Sequence, residues 1–453
     1  MPPIHRLAPF VLGLLLAAFD ANGQVALRID DVRVVDPAAG TATEPRSVAV
    51  LDGWFVEPEA LDGLTVQTVD GGGRWLIPGL HELHAHVPPA DETQRLDDVL
   101  ALFLAHGVTG IRGMLGERGH LDVRADLAAG KRFGPRLITS GPSLNGNSAP
   151  DAATARRIVQ TQAEAGYDLL KLHPGLLPGT FAALTEAAQG LDMPYAGHVS
   201  IGVGLDRALA ARQSTIDHLD GYAQALVPDD HPARNRPPGF FGMALAEALD
   251  SDRIATLAER TRTAGVWNVP TQTLIENIAI ADLDALAARP AMRYVDAAAV
   301  QRWRDRVAGL REPYTADDLQ RFVEVRRALI RGLHTAGAGL LLGADAPQIF
   351  NVPGDSTHHE LELLVAAGLS PAEALATGTV NPARFLGEPA RGCLQQGCVA
   401  DAVLLDADPL ADITNVRRIN GVLRAGDYLD RAALDARLDA IAARARPAAT
   451  GPD

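Results

Sequence analysis

Residues 75–86 read WLIPGLHELHAH, an apolar strand-like run punctuated by Pro78 and Gly79 and closed by a polar cluster that ends in His84 and His86. Side chains two apart on a strand point to the same side, so both imidazoles face one way. Working outward, the glycines at 71–73 close a stretch, Val25 to about Val69, of short alternation and turn breaks that reads as a small β unit. Downstream, apolar runs at 76–84, 108–112, 136–140, 168–173, 193–198, 214–218, 266–271 and 339–345 alternate with Ala- and Leu-rich segments of helical period, such as 94–106, 151–165, 317–336 and 357–368. Such alternation predicts an α/β fold with a parallel sheet, and eight β/α units predict a closed, TIM-type (β/α)8 barrel.

Composition limits the partners. The 453 residues are 47% hydrophobic and 21% charged, ordinary globular usage, and 41 basic against 56 acidic residues give a net charge of −15. A broad phosphate-binding face is not expected, so the expected partner is a small-molecule substrate and not nucleic acid. Residues 1–23 carry a basic start at His5 and Arg6, an apolar run from Ala8 to Phe19 and small polar residues, the anatomy of a signal peptide. That run falls short of the ~20 residues a membrane helix needs, so the expectation is an exported, periplasmic or secreted protein with no membrane span. Cys393 and Cys398 can oxidise in such a compartment or remain two buried thiols. The sequence leaves self-association open.

In a β/α barrel the C-terminal strand ends meet at one mouth. Apolar runs end there in Lys171 (DLLKLH), His198 (YAGHVS), His218 (TIDHLDG) and Asp345 (LLLGADAP), besides His84 and His86. Imidazoles with a carboxylate suit a divalent transition metal such as zinc. Lys171 fits poorly, because an ammonium repels a cation and, buried, must pair or lose its proton. His173 alternates with Lys171 and is a further candidate for the same side. His106, His120, His231 and His334 read as surface positions, and His358-His359 as a solvated helix start. Two long connections, about 223–252 and 274–316, are candidate lids over the mouth. No G-x-S-x-G elbow or G-x-G-x-x-G loop is present.

These residues, with PGLHELHAH, TGTVNPARFLG and GCVADAVLLDADPLADI, resemble the metal-dependent amidohydrolase superfamily, in the branch of imidazolonepropionase-related and Xaa-Pro dipeptidase-like enzymes. The resemblance spans nearly all of the chain after residue 23. It implies a composite β-sandwich from 24–75 and 382–430 and a hydrolase barrel over 76–381, between the signal peptide read at 1–23 and a C-terminal helix and tail over 431–453. It also implies a binuclear site, usually zinc, with Lys171 carboxylated. His84, His86, Lys171 and Asp345 would hold one ion, and Lys171, His198 and His218 the other. The chain departs from the branch at His81 and Glu82, where aspartate often precedes the H-x-H, with His81 then an outer-shell candidate. It departs again at Asn145 and Asn147, where dipeptidase-like relatives carry a further histidine, and at Ala344 in place of threonine.

The expected chemistry is hydrolysis of a C–N bond by a metal-bridging hydroxide. Asp345 would move the proton and Tyr222 would contact the oxyanion. The alternatives are esterase or lactonase activity on the same site, or a non-catalytic ligand-binding barrel. Arg234 and Arg236 are candidates for a substrate carboxylate.

Overall fold

The computed structural model describes residues 25–445, so the apolar segment read as an export signal lies outside the described residues. The chain is α/β and TIM-barrel-like. Parallel strands Leu80–Ala85, Val108–Gly113 and Arg136–Thr139 form one sheet, and Leu170–Leu172, Tyr195–Gly197, Thr215–Asp217 and Trp267–Val269 another. Single parallel bridges, Ser140 to Leu169 and Leu144 to Leu172, link the two sheets. The run expected as an eighth strand over 339–345 bridges Asn268 through Leu340 and Ala85 through Ala346, but forms no ladder between them. Its backbone turns left-handed at Asp345 (φ 63), a conformation no strand sustains.

The helices follow the sequence pattern closely. The expected 151–165 is observed as Ala152–Ala165, with Asp151 accepting from Thr154 N, and 317–336 as Ala316–Ala336, opened by a Thr315/Asp318 capping box. The two long connections differ from each other. Residues 274–316 are mostly helical: Gln272–Ala279 is buried throughout and packs in the core, whereas Ala297–Arg311 buries only Val307 and lies at the surface. Residues 223–252 form short helical turns, among them Phe240–Ala248, which is kinked at Phe241 and Gly242.

Both terminal segments share an eight-stranded sheet. Its order is Asp427–Asp430, Ile419–Arg424, Ala402–Leu405, Val66–Pro78, Ala26–Asp36, Arg46–Leu51 and Trp54–Val56, with Thr41–Ala42 paired to Ala26–Asp36 off this path. Leu27, Ile29, Val48, Val50, Phe55, Leu76 and Leu404 bury one face together. Each such side chain is worth about 1.5–3 kcal/mol. The strand Val66–Pro78 runs on through Gly79 into Leu80–Ala85, so the sheet is continuous with the strand that carries His84. Gly79 is required there, because a Cβ would stand 2.2 Å from Thr109 Oγ1. Cys393 and Cys398 form a disulfide beside this sheet.

Candidate metal centre

The register of Leu80–Ala85 against Val108–Gly113 shifts between Glu82 and Ala85, a bulge-like irregularity of the kind that re-aims side chains beside active sites. Within it, His84 is 1% exposed. Its Nδ1 lies 2.8 Å from Asp217 Oδ2 and, as donor there, leaves Nε2 as a free lone pair. That Nε2 is 3.5 Å from Lys171 Nζ and 3.5 Å from Asp345 Oδ1. His86 Nε2 is 2.6 Å from the same Asp345 oxygen, and His218 Nδ1 is 3.7 Å from Asp345 Oδ2. The His198 and His218 ring centroids are 4.5 Å apart, and those of His84 and His218 are 4.6 Å apart. Ligand atoms of His84, His218 and Asp345 all lie within 4.8 Å of one another.

The electrostatics suit a cation. Burial, then the Lys171 charge, pushes the His84 imidazole down to about 4, so it is neutral, the ligating form. Burial also lowers the Lys171 ammonium and holds His218 well below its ordinary range. Burial pushes the Asp345 carboxyl up, but His84 and His86 outweigh it and hold the group ionised. Asp345 Oδ1 is buried beside two imidazole nitrogens, yet no donor is aligned to hydrogen-bond it. Convergent imidazoles, those of His84 and His218 neutral, with one anionic oxygen are a donor set for a divalent transition metal.

The shell around these groups was not legible in the sequence. Asp217 also accepts from Thr215 Oγ1 (2.6 Å) and stands 3.5 Å from the buried Arg112, which donates to Leu83 O. Burial raises the Asp217 carboxyl, but Arg112 and His84 pull it below the usual range. Asp220 Oδ2 lies 2.7 Å from His198 Nδ1, and Thr271 Oγ1 lies 2.8 Å from His218 Nδ1. Arg326 donates to His218 O and Pro270 O and so fixes that strand end. Glu82 accepts from Ala344 N and from Thr357 Oγ1, tying the strand of His84 to the segment of Asp345. Several of these residues, His218 (φ 62), Leu219 (φ 56), Thr271 (φ 47) and Asp345 (φ 63), hold left-handed backbones. Non-glycine residues keep that strain where the surroundings over-determine them, and such places cluster at functional sites. The one available signal was the pattern D-H-L-D at 217–220, which places two carboxylates around His218 but not the rings they orient.

Some expectations are corrected. Tyr222 is wholly buried, and its hydroxyl contacts Thr261 Oγ1 (2.8 Å) and Asn268 Oδ1 (3.0 Å), so it packs within the core and does not face an oxyanion. His81 is buried among Gly110, Arg136 and Leu386, away from the imidazole cluster, with neither ring nitrogen partnered. His120 and His358 are buried as well, bonded to Pro88 O and His106 O. Arg234 is engaged by Gln224 O, Val227 O and Asp229, and Arg236 by Glu247. His173 does reach the site, its ring stacked 4.8 Å from that of His198. A groove of about 660 Å³ lies elsewhere, lined by Val34, Val380, Ala383 and Leu394, and none of the converging imidazoles borders it.

Comparison with known proteins places the chain in a family. The Amidohydrolase family profile matches residues 75–429. An imidazolonepropionase of Idiomarina loihiensis is 23% identical over 374 residues, 77% of this chain and 82% of that protein. An adenine deaminase of Nitratidesulfovibrio vulgaris (strain DP4) is 28% identical over 221 residues, 46% of this chain, and the match spans only 35% of its own length. Among solved structures, a bottromycin amidohydrolase superposes with a TM-score of 0.69 at 24% identity, covering 92% of this chain and 90% of that one. A Xaa-Pro dipeptidase with methionine bound in its active site gives 0.66 at 14% identity, over 89% of this chain and 100% of that one. The chain belongs to the amidohydrolase family.

Proposed function

We propose that this protein is a metal-dependent hydrolase of a C–N bond in a small substrate, such as an N-acyl amino acid or a dipeptide. The observation that carries the reading is the meeting of His84, His218 and Asp345 within 4.8 Å, with Lys171 Nζ 3.5 Å from His84 Nε2. Family membership supports C–N hydrolysis. We read the parallel strands and their bridges as a closed (β/α)8 barrel, and the terminal sheet as the composite sandwich that the resemblance implies.

His84, His86 and Asp345 would hold one divalent ion and His198 and His218 another, with zinc as the expected metal. Lys171 Nζ stands 3.5 Å from His84 Nε2. As an ammonium it would repel both ions, whereas the carbamate formed with carbon dioxide would offer each an anionic oxygen. When bound, the ions supply an ionised water at neutral pH and polarise the scissile carbonyl. Asp345, ionised and beside His86, would accept the proton of the attacking water and deliver it to the leaving amine. Asp217 and Asp220 hold His84 and His198 in the tautomer that frees Nε2. The Cys393–Cys398 disulfide supports export, since such bonds persist in oxidising compartments. Among the described residues no helix is long and apolar enough to cross a membrane.

The test measures metal per chain and turnover of an N-acyl amino acid and dipeptide panel before and after chelation. Metal near two per chain, with activity lost on chelation and restored by zinc, is expected. Full activity in metal-free protein would overturn the reading, and cleavage of esters alone would favour the esterase alternative.

A further inference from the structure

The segment Pro237–Gly242, PPGFFG, lies in the long connection over 223–252 and brings a ring beside His218. Phe241 takes a left-handed backbone (φ 50, ψ 17), rare for a bulky residue, between Gly239 (φ 68) and Gly242 (φ 96). The neighbours leave little choice. A Cβ at Gly239 would stand 2.4 Å from the Tyr314 hydroxyl, and one at Gly242 would stand 2.4 Å from Ala223 Cβ. The chain is thus pressed against the helical wall on both sides of Phe241. The outcome is directional: the Phe241 ring centroid lies 5.1 Å from the His218 ring and 6.5 Å from the His198 ring, near-parallel to the latter. Phe240 meets it edge-on at 4.4 Å, and both phenylalanines stay partly exposed.

The cations of this connection are turned away into its own carbonyls and carboxylates, as described for Arg234 and Arg236. What it presents to the imidazoles is aromatic carbon. The adjoining loops continue that character. Leu177 and Ile201, beyond the fourth and fifth strands, are 61% and 68% exposed, on loops tied together by Leu176 N donating to Ser200 Oγ at 3.0 Å.

We propose that Phe241 is a specificity-determining residue, forming a wall against which an aliphatic or aromatic group next to the scissile bond packs. The substrate class is then amides with an apolar acyl or side-chain group. This inference rests on the hydrolase reading and deepens it.

The experiment compares wild type, F241A and F241L, each checked for metal content, on the acetyl, hexanoyl and benzoyl amides of 4-nitroaniline. In wild type, kcat/KM is expected to rise with acyl size. In F241A the benzoyl-to-acetyl and hexanoyl-to-acetyl ratios are expected to fall about 10-fold, the scale of a lost apolar pocket contact. F241L should keep more of the hexanoyl preference than of the benzoyl. Unchanged ratios in both variants would overturn the proposal while leaving the hydrolase intact. If wild type cleaves none of the three, the hydrolase reading still stands or falls on the N-acyl amino acid and dipeptide panel, and binding of hexanoate and benzoate against acetate decides the inference. Selective weakening of the two larger acids in F241A supports the wall, and equal effects on all three overturn it.

Discussion

The barrel mouth and the terminal sheet are joined by one unbroken run, from Val66–Pro78 through Gly79 into Leu80–Ala85, yet they are built on opposite terms. The sheet buries Leu27, Ile29, Val50 and Leu76 and is closed by a disulfide, with its polar groups mostly at the surface. The mouth buries Lys171, Asp217, Asp345 and two imidazoles within a few ångströms, on backbones that turn left-handed at His218 and Asp345. Uncompensated, such burial costs several kcal/mol per charge. A fold keeps it where something other than stability is served, and leaves stability to the regular sheet. If that division is right, substitutions in the two regions should separate activity from stability.

The largest expected effect is at Asp345. On the proposed mechanism Asp345→Asn removes the proton carrier and an anionic donor, so kcat should fall about 10²–10⁴-fold, the range for general acid–base groups. Asparagine tolerates a left-handed backbone and carries no charge to bury, so the thermal midpoint of chelator-treated protein should not fall. Kinetics on the best substrate of the panel, with calorimetry of metal-free samples, would check this. A variant that loses stability as heavily as activity would break the comparison at its centre.

Next come the carboxylates that aim the rings. Asp220→Asn leaves His198 in place but weakens the hold on its Nδ1 proton, and such changes cost about 10–100-fold in metal affinity. Competition with a zinc chelator would measure it. Affinity equal to wild type would reduce Asp220 to a surface polar group.

How much of this was legible follows the same division. The six strand-end groups were readable because each is a polar residue closing an apolar run, and barrel geometry does the gathering. The partners were not. Asp217 meets His84 across 133 residues, and nothing local marks that pairing. His358 begins a helix with a polar pair that reads as solvated, yet its ring is buried toward His106 O, because tertiary packing and not local pattern sets that face. The eighth strand was misjudged in regularity, since the apolar run 339–345 gives no hint of the turn at Asp345. Tyr222 was misplaced for a related reason. Tyr222 stands only four positions after His218, but left-handed backbones at His218, Leu219 and Gly221 turn the chain before the short helix Tyr222–Leu226.

In the sheet the effects should invert. Replacing both cysteines by serine opens the short loop between Cys393 and Cys398, and loop-closure entropy puts the loss at about 2 kcal/mol. Denaturant unfolding should show it, while kcat/KM stays within about twofold of wild type. A large loss of turnover would mean that the sheet transmits strain through Gly79 to His84, and the division would fail from the other side.

The smallest effect is the sharpest test of a boundary. Tyr222 is close in sequence to the centre but belongs structurally to the core, its hydroxyl held by Thr261 and Asn268 and pushed up in pKa by burial. Tyr222→Phe keeps the ring and the packing. Thr261 retains Leu257 O as acceptor, but Asn268 Oδ1 loses its donor inside the core, so the cost should be about 1–3 kcal/mol. Turnover should hold within about twofold, because no reacting atom can lie beside a hydroxyl enclosed by that helix and strand. A fall in kcat of the order seen when an oxyanion donor is removed, about 10²-fold or more, would place Tyr222 back at the mouth and require the loop after the sixth strand to rearrange during catalysis.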